Sequence, residues 1–226
     1  MKNIVIGIEG YVGAGKSTIC KELLNKIPNS ILLEGGNLYR AIVYALIHSG
    51  IDLEKMKQNI KEIDIKEVMD KLKVEIKLEN NITSFYISGK KIEEEKLQSA
   101  ESSLAVSKVG TVANNEKLFL FARQLIDKFK LKYNVIVSGR ALMQIYPDLD
   151  YHFLIKASLE ERIRRKNIQY KGKIDLEELK QNIVTRDELQ EKAGFYKEYE
   201  KTIVVDITDC NTVEDSVNKV LEHIRL

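Results

Sequence analysis

The residues best suited to chemistry lie in one stretch near the start of the chain. Gly10 to Thr18 reads GYVGAGKST and fits G-x-x-x-x-G-K-[ST] at every position. Such a pattern gathers backbone N–H groups onto phosphate oxygens, which demands turns too tight for a Cβ. Gly10, Gly13 and Gly15 supply those turns, with Ala14 between the last two. Lys16 brings an ammonium to the outer phosphates and Ser17 offers a hydroxyl to Mg²⁺, while Thr18 to Asn25 read as a helix whose N-terminus favours an anion. An ordinary glycine turn would need neither the preceding apolar run Ile4-Val5-Ile6-Gly7-Ile8 nor the helix that follows. The expected ligand is a nucleoside triphosphate with Mg²⁺.

A second group of residues could grip another phosphate facing the first. Arg40 ends the stretch Glu34-Gly35-Gly36-Asn37-Leu38-Tyr39-Arg40, and Gly139-Arg140 directly follows the run Val135-Ile136-Val137-Ser138. A guanidinium fork at each point suits a phosphate bidentately. Between Glu160 and Lys173, Arg162, Arg164, Arg165, Lys166, Lys171 and Lys173 face only two acids. Most charged side chains are simply solvated, but like charges at this spacing repel in a plain helix, so the cluster reads as a lid that closes over phosphates. Arg186 is a further candidate from the helix after the lid. Glu9 and Glu34 could act as a base for an alcohol acceptor, or as water-mediated Mg²⁺ ligands or caps.

These groups reach one rim only if the chain forms a parallel sheet. The first strand, Ile31-Leu32-Leu33, Asn134 to Ser138, Tyr151 to Lys156 and Ile203 to Asp206 read as five buried strands alternating with helices. The helices are expected from Leu38, within Leu53 to Leu72, over Ser102 to Leu131, and over Val213 to Ile224. Leu118, Phe119, Phe121, Ala122, Leu125, Ile126 and Phe129 form a core stripe on the third of these. Val74 to Leu78 and Ile82 to Ser88 alternate around Asn80-Asn81, a hairpin of a small appended sheet. The alternation predicts an α/β three-layer fold with a five-stranded parallel sheet, with ligands beyond the carboxyl ends of its strands.

A chain of 226 residues suits one such domain, and 44 % hydrophobic with 31 % charged residues is the composition of a soluble globular protein. The 36 basic and 34 acidic residues nearly cancel, which gives no bias toward nucleic acid. Cys20 and Cys210 make neither a disulfide framework nor a metal site, as expected of a protein of the reducing cytosol. The start of the chain belongs to the first strand, and no apolar run is long enough to span a membrane.

Taken together, these residues resemble the bacterial cytidylate kinases, a branch of the P-loop nucleoside monophosphate kinases. The resemblance runs in order through Gly10 to Thr18, Glu34 to Arg40, Gly50-Ile51-Asp52, the hairpin, Ala105 to Val109, Gly139-Arg140, Pro147-Asp148, Glu161-Arg162 and Arg186-Asp187. It implies transfer of the ATP γ-phosphoryl group to CMP or dCMP with Mg²⁺, by a cytoplasmic monomer. It also implies a core (1–34, 100–158, 174–226), an acceptor-binding insert over about 35–99 and a lid over about 159–173. By the same resemblance Lys16 and the loop amides hold the ATP phosphates, Arg40, Arg140 and Arg186 grip the acceptor phosphate or its bridge to ATP, and Arg162 and Arg165 come from the lid. Gly36, Tyr39 and Ser107 join the acceptor site.

The chain departs from the family at other points. Asp-Gly-Arg-Asp is Ser138-Gly139-Arg140-Ala141 here, a base-reading arginine is replaced by Glu116, and Gln190 and Ala193 stand where an acid and an arginine are expected. The phosphate machinery is kept while base and ribose readers are not. That leaves three readings: a divergent cytidylate kinase, a kinase of another nucleotide or small metabolite, and a nucleotide-binding regulatory module without turnover.

Overall fold

The computed structural model describes residues 2–48, 65–97 and 116–225. β1 (Val5–Gly10) is buried at all six positions, as a central parallel strand covered on both faces requires. It lies between β6 (Asn134–Ser138) and β7 (Tyr151–Lys156). β2 (Ser30–Glu34) extends the sheet beyond β6, and β8 (Thr202–Asp206) beyond β7. All these pairings are parallel, so the five expected strands are present with their carboxyl ends on one rim.

The hairpin of β3 (Val74–Glu79) and β4 (Ile82–Ile87) turns at Asn80 and Asn81, both with left-handed φ of 50° and 62°, conformations that asparagine tolerates. It does not form a separate small sheet. β4 runs parallel to β2 at Leu32↔Ile82, and the Leu32 amide donates to the Asn81 carbonyl at 2.8 Å. The two-residue β5 (Lys90–Lys91) pairs with β4 at Tyr86 and Ile87, on the edge opposite β3. Burial of Phe85 and Ile92 against Ile42 and Leu33 fixes the hairpin there and covers an edge that β2 would otherwise expose.

Helices fill both faces. α1 (Lys16–Lys26) and, near the carboxyl end, Val213–Leu221 pack Ile19, Leu23, Val217 and Val220 on Ile6, Ile8 and Phe153. On the other face lie α2 (Gly35–His48), α3 (Ile65–Lys71), α4 (Glu94–Leu97), α5 (Glu116–Lys130) and α6 (Leu142–Ile145), with Leu38, Ile42, Leu118, Ala122 and Ile126 in one cluster with Val135 and Val137. Each fully buried side chain of this kind contributes about 1.5–3 kcal/mol. α7 (Leu159–Gln169) starts on the Ser158 cap, and α8 (Leu176–Lys192) on Asp175, whose carboxylate accepts from the amides of Glu177 and Glu178. The carboxyl-terminal helix α9 (Val213–Leu221) has a Thr212–Asp215 capping box.

Several boundaries differ from the expected ones. α1 begins at Lys16 and α2 at Gly35, two to three residues early, because the glycine-rich turns lead straight into helix. α9 ends at Leu221 rather than Ile224. The expected helix over Ser102 to Leu131 is described from Glu116 on; Ser107, Gly50-Ile51-Asp52 and the start of the Leu53 to Leu72 segment lie outside the described residues. Cys20 and Cys210 are buried free thiols.

Candidate active site

The Gly10–Gly15 loop joins β1 to α1. Gly15, at φ 88°, is the N-cap of α1, a conformation that a side chain would strain. A Cβ at Gly10 would meet the Ile155 carbonyl oxygen at 2.9 Å, so strand β7 itself excludes any other residue. Lys16 extends along the rim and its Nζ donates to Ser138 Oγ at 2.8 Å. Burial holds the Lys16 ammonium below its ordinary pKa, and Arg140 adds to the effect. An anion at this point restores the charge, as binding of a phosphate would.

The loop is clamped from outside by α7 and α8. Asp187 on α8 accepts from the Val12 amide at 3.2 Å and pairs with the Arg162 guanidinium. Arg162 in turn donates to the Val12 carbonyl at 3.2 Å and the Ala157 carbonyl at 3.1 Å, and lies over the Tyr11 ring at 5.4 Å. The side chain of Arg162 is consumed by these partners, and the residue is only 8 % exposed. A charge this deeply buried requires a carboxylate and polar partners, so the lid arginine expected at the phosphates is held against the loop by Asp187.

The rest of the lid is more open. Glu161 binds Arg164 and Arg165, which relieves the repulsion expected along α7, and its carboxyl is held down at about 2, chiefly by the Arg164 hydrogen bond. Arg165 also donates to Ile207 O at 2.9 Å and Ala14 O at 3.4 Å, standing beside Gly15 at the cleft wall. Burial, with Arg186 nearby, lowers the pKa of Lys166.

Two clefts open on the rim. One, of about 740 Å³, is lined by the loop residues Gly13, Gly15 and Thr18, by Arg165 and Arg186, and by the Cys210–Val213 segment. The other, of about 470 Å³, is lined by Gly36, Tyr39, Arg40, Phe119 and Ala141 among others. Lys16, Ser17, Arg140 and Gln169 line both, so the clefts meet there. At that junction Arg40, Arg140 and Arg186 converge: burial lowers the pKa of Arg40 first, and Arg140 and Arg186 add to it. The Arg140 guanidinium is likewise lowered by burial, opposed by Tyr196. Arg40 Nε is buried with no hydrogen-bond partner among the described residues. Arg140 and Arg186 are exposed beside the half-buried Arg40, and the orphaned Arg40 donor would suit an anion.

The acidic and departing positions are placed as follows. Glu34 lines the second cleft and accepts from Asn37 Nδ2 at 2.8 Å. Glu9, weighed as a rim base, is instead buried at 3 % exposure. Its Oε1 accepts from the Leu142 amide at 2.7 Å and lies 3.2 Å from His152 Nε2, supporting the turn at Ala141, where φ is 54°. Ala141 borders the second cleft, Gln190 is bonded to the Tyr196 hydroxyl, and Glu116 and Ala193 are exposed. Sequence reasoning gave no role to Asp187, His152 or Tyr196. The one signal available for Tyr196 was Gly194, which ends α8 and turns two aromatics back toward the loop.

A parallel α/β sheet with this loop on its rim, facing an arginine-lined second cleft, defines a P-loop kinase. A sequence-family model described as cytidylate kinase matches residues 6–226; the chain belongs to the cytidylate kinase family, and is accordingly an ATP-dependent phosphotransferase. It is 32 % identical to the cytidylate kinase of Clostridioides difficile (strain 630), and 28 % identical to that of Alkaliphilus oremlandii (strain OhILAs). Each alignment covers 100 % of this chain and 100 % and 99 % of the relative respectively. Among solved structures, an uncharacterized protein from Eubacterium ventriosum ATCC 27560 shares the fold, with a TM-score of 0.52 at 14 % identity over 99 % of this chain and 98 % of that one. No helix among the described residues is long and apolar enough to cross a membrane.

Proposed function

We propose that the protein transfers the γ-phosphoryl group of ATP to CMP or dCMP, giving ADP and the corresponding diphosphate. The observation that carries this is the junction itself: Lys16, Ser17 and Arg140 border both clefts, with Arg186 on the wall of the loop-side cleft and Arg40 on the wall of the other. In this reading the loop amides of Gly13 to Thr18 and Lys16 hold the ATP phosphates, with Arg165 at the cleft wall. Arg40 and Arg140 hold the acceptor phosphate, with Gly36 and Tyr39 beside them, and Arg186 bridges toward the donor.

The acceptor phosphate has a second pKa of about 6 and is largely a dianion at neutral pH. One of its oxygens attacks the γ-phosphorus, and the bond from that phosphorus to the β–γ bridging oxygen breaks, its electron pair leaving with ADP. No proton has to be removed, which suits a site whose Glu9 is buried under the Ala141 turn. What remains for the protein is alignment and charge neutralisation. The cationic residues supply both.

Oxygen donors suit Mg²⁺, and Ser17, Glu34 and Ser138 all border the second cleft. Ser17 would hold the ion directly, and Glu34 through water. Mg²⁺, when bound, neutralises charge on the β- and γ-phosphates. We further infer that residues about 35–99 and 159–173 move as acceptor insert and lid on the core, and that the protein works as a cytoplasmic monomer. Incubation with ATP, Mg²⁺ and CMP followed by separation of nucleotides tests the proposal: CDP and ADP form in equal amounts. ADP formation without CDP, or no turnover, overturns it.

A further inference from the structure

Tyr196 is held in a conformation that its residue type resists. Its φ is 60°, a left-handed value that is an outlier for a bulky side chain. Gly194, two residues earlier, is also left-handed at 79°, so the chain leaving α8 is folded back on itself. The result is a nearly buried ring, 6 % exposed, stacked on Tyr11 of the phosphate loop with centroids 4.1 Å apart and planes 22° from parallel. The Tyr196 hydroxyl donates to Gln190 Oε1 on α8 and interacts electrostatically with the Arg140 guanidinium. Phe195 lies 6.0 Å from the same guanidinium. Tyr11 is in turn tied to α8 through Glu191.

We infer that Tyr196 is a positioning residue that couples the acceptor-side Arg140 to the donor loop: its ring sets the position of Tyr11, and its hydroxyl sets the direction of the Arg140 fork. The inference rests on the acceptor role proposed above for Arg140. Backbone strain at a site is tolerated where the surrounding structure over-determines it, and here stacking, the Gln190 bond and the Arg140 contact all do so. Gln190 occupies a position where the family resemblance expects an acid, and it is spent on orienting Tyr196 rather than on the acceptor.

Steady-state kinetics on three variants test this. Tyr196→Phe keeps the stacked ring and removes the hydroxyl; KM for CMP rises about 10-fold, as for loss of one hydrogen bond to a charged group, while KM for ATP stays within about 2-fold. Gln190→Leu, at a half-buried helix position, moves KM for CMP alone in the same direction by a smaller factor, and keeps the test open if Tyr196→Phe fails to fold. Arg140→Lys serves as the reference. If Arg140→Lys raises KM for CMP and neither Tyr196→Phe nor Gln190→Leu does, the coupling is refuted and the acceptor role of Arg140 stands. If Arg140→Lys leaves KM for CMP unchanged, the acceptor role fails as well. Equal increases in both KM values for Tyr196→Phe would also overturn the inference, since a packing role alone produces them.

Discussion

Replacing Asp187 by Ala should remove the support of the phosphate loop and measure what it is worth. In the folded protein this carboxylate is 7 % exposed, accepts from the Val12 amide and pairs with a guanidinium that is itself buried. Its removal leaves the Arg162 charge without a counter-ion and the Val12 amide without an acceptor. Breaking a buried pair on one side costs about 3–5 kcal/mol, against a total stability of about 5–15 kcal/mol for a domain. At about 2–4 °C per kcal/mol for chains of this size, the melting temperature falls by roughly 10 °C. The double variant Arg162→Met with Asp187→Leu removes both charges together, and should recover most of that loss because paired apolar replacements are often neutral. Differential scanning calorimetry of the three proteins, without nucleotide, reads the result directly. A fall of less than about 3 °C for Asp187→Ala would refute the clamp. So would a double variant no more stable than the single one.

Other consequences are smaller. Arg40→Met removes one of three mutually repelling cations, so the nucleotide-free protein should melt a few degrees higher, by about the amount typical of relieving a functional conflict; an unchanged or lower melting temperature contradicts the repulsion. Glu161, its carboxyl held at about 2, stabilises the fold fully above its unfolded pKa of about 4.3 and loses that contribution as pH falls toward 2. The gap in melting temperature between the wild type and Glu161→Gln should therefore be constant above about pH 5 and narrow as pH falls from there toward 2. A gap independent of pH excludes the ion pair. With Ala141 at the acceptor cleft and Gln190 spent on Tyr196, kcat/KM for UMP should lie within about 100-fold of that for CMP, the range a site without polar base readers achieves; a preference above about 10⁴ would show that cytosine is read.

The parts of this site that were legible in the sequence share a property: their chemistry is set by local spacing. Gly10 to Thr18 carries its turn geometry in consecutive residues, and Arg40 and Arg140 could be placed because each follows a strand whose carboxyl end must reach the rim. The burial of Arg162 is not legible in the sequence, because it depends on Asp187, 25 positions away. Nothing in a run of basic residues marks the one that will be buried. Of the roles open to Glu9, the structure shows the capping one, decided by its partners Leu142 and His152 arriving from the turn after β6 and from β7. The hairpin was recognised from its alternation and Asn80-Asn81, but its docking edge is decided by the burial of Phe85 and Ile92, a tertiary matter. Tyr196 illustrates the limit most clearly, since a left-handed aromatic contradicts local preference and is stable only through its contacts with Tyr11, Gln190 and Arg140.

The central claim is that the converging arginines seat the acceptor phosphate opposite a separate donor loop. Titration calorimetry of CMP and of ATP, each onto wild type and onto Arg40→Gln, tests it most directly. CMP affinity should fall at least about 10-fold, the loss expected for a charge-assisted contact, while ATP affinity is retained within about 2-fold. Equal losses for both nucleotides, or unchanged CMP binding, would contradict it.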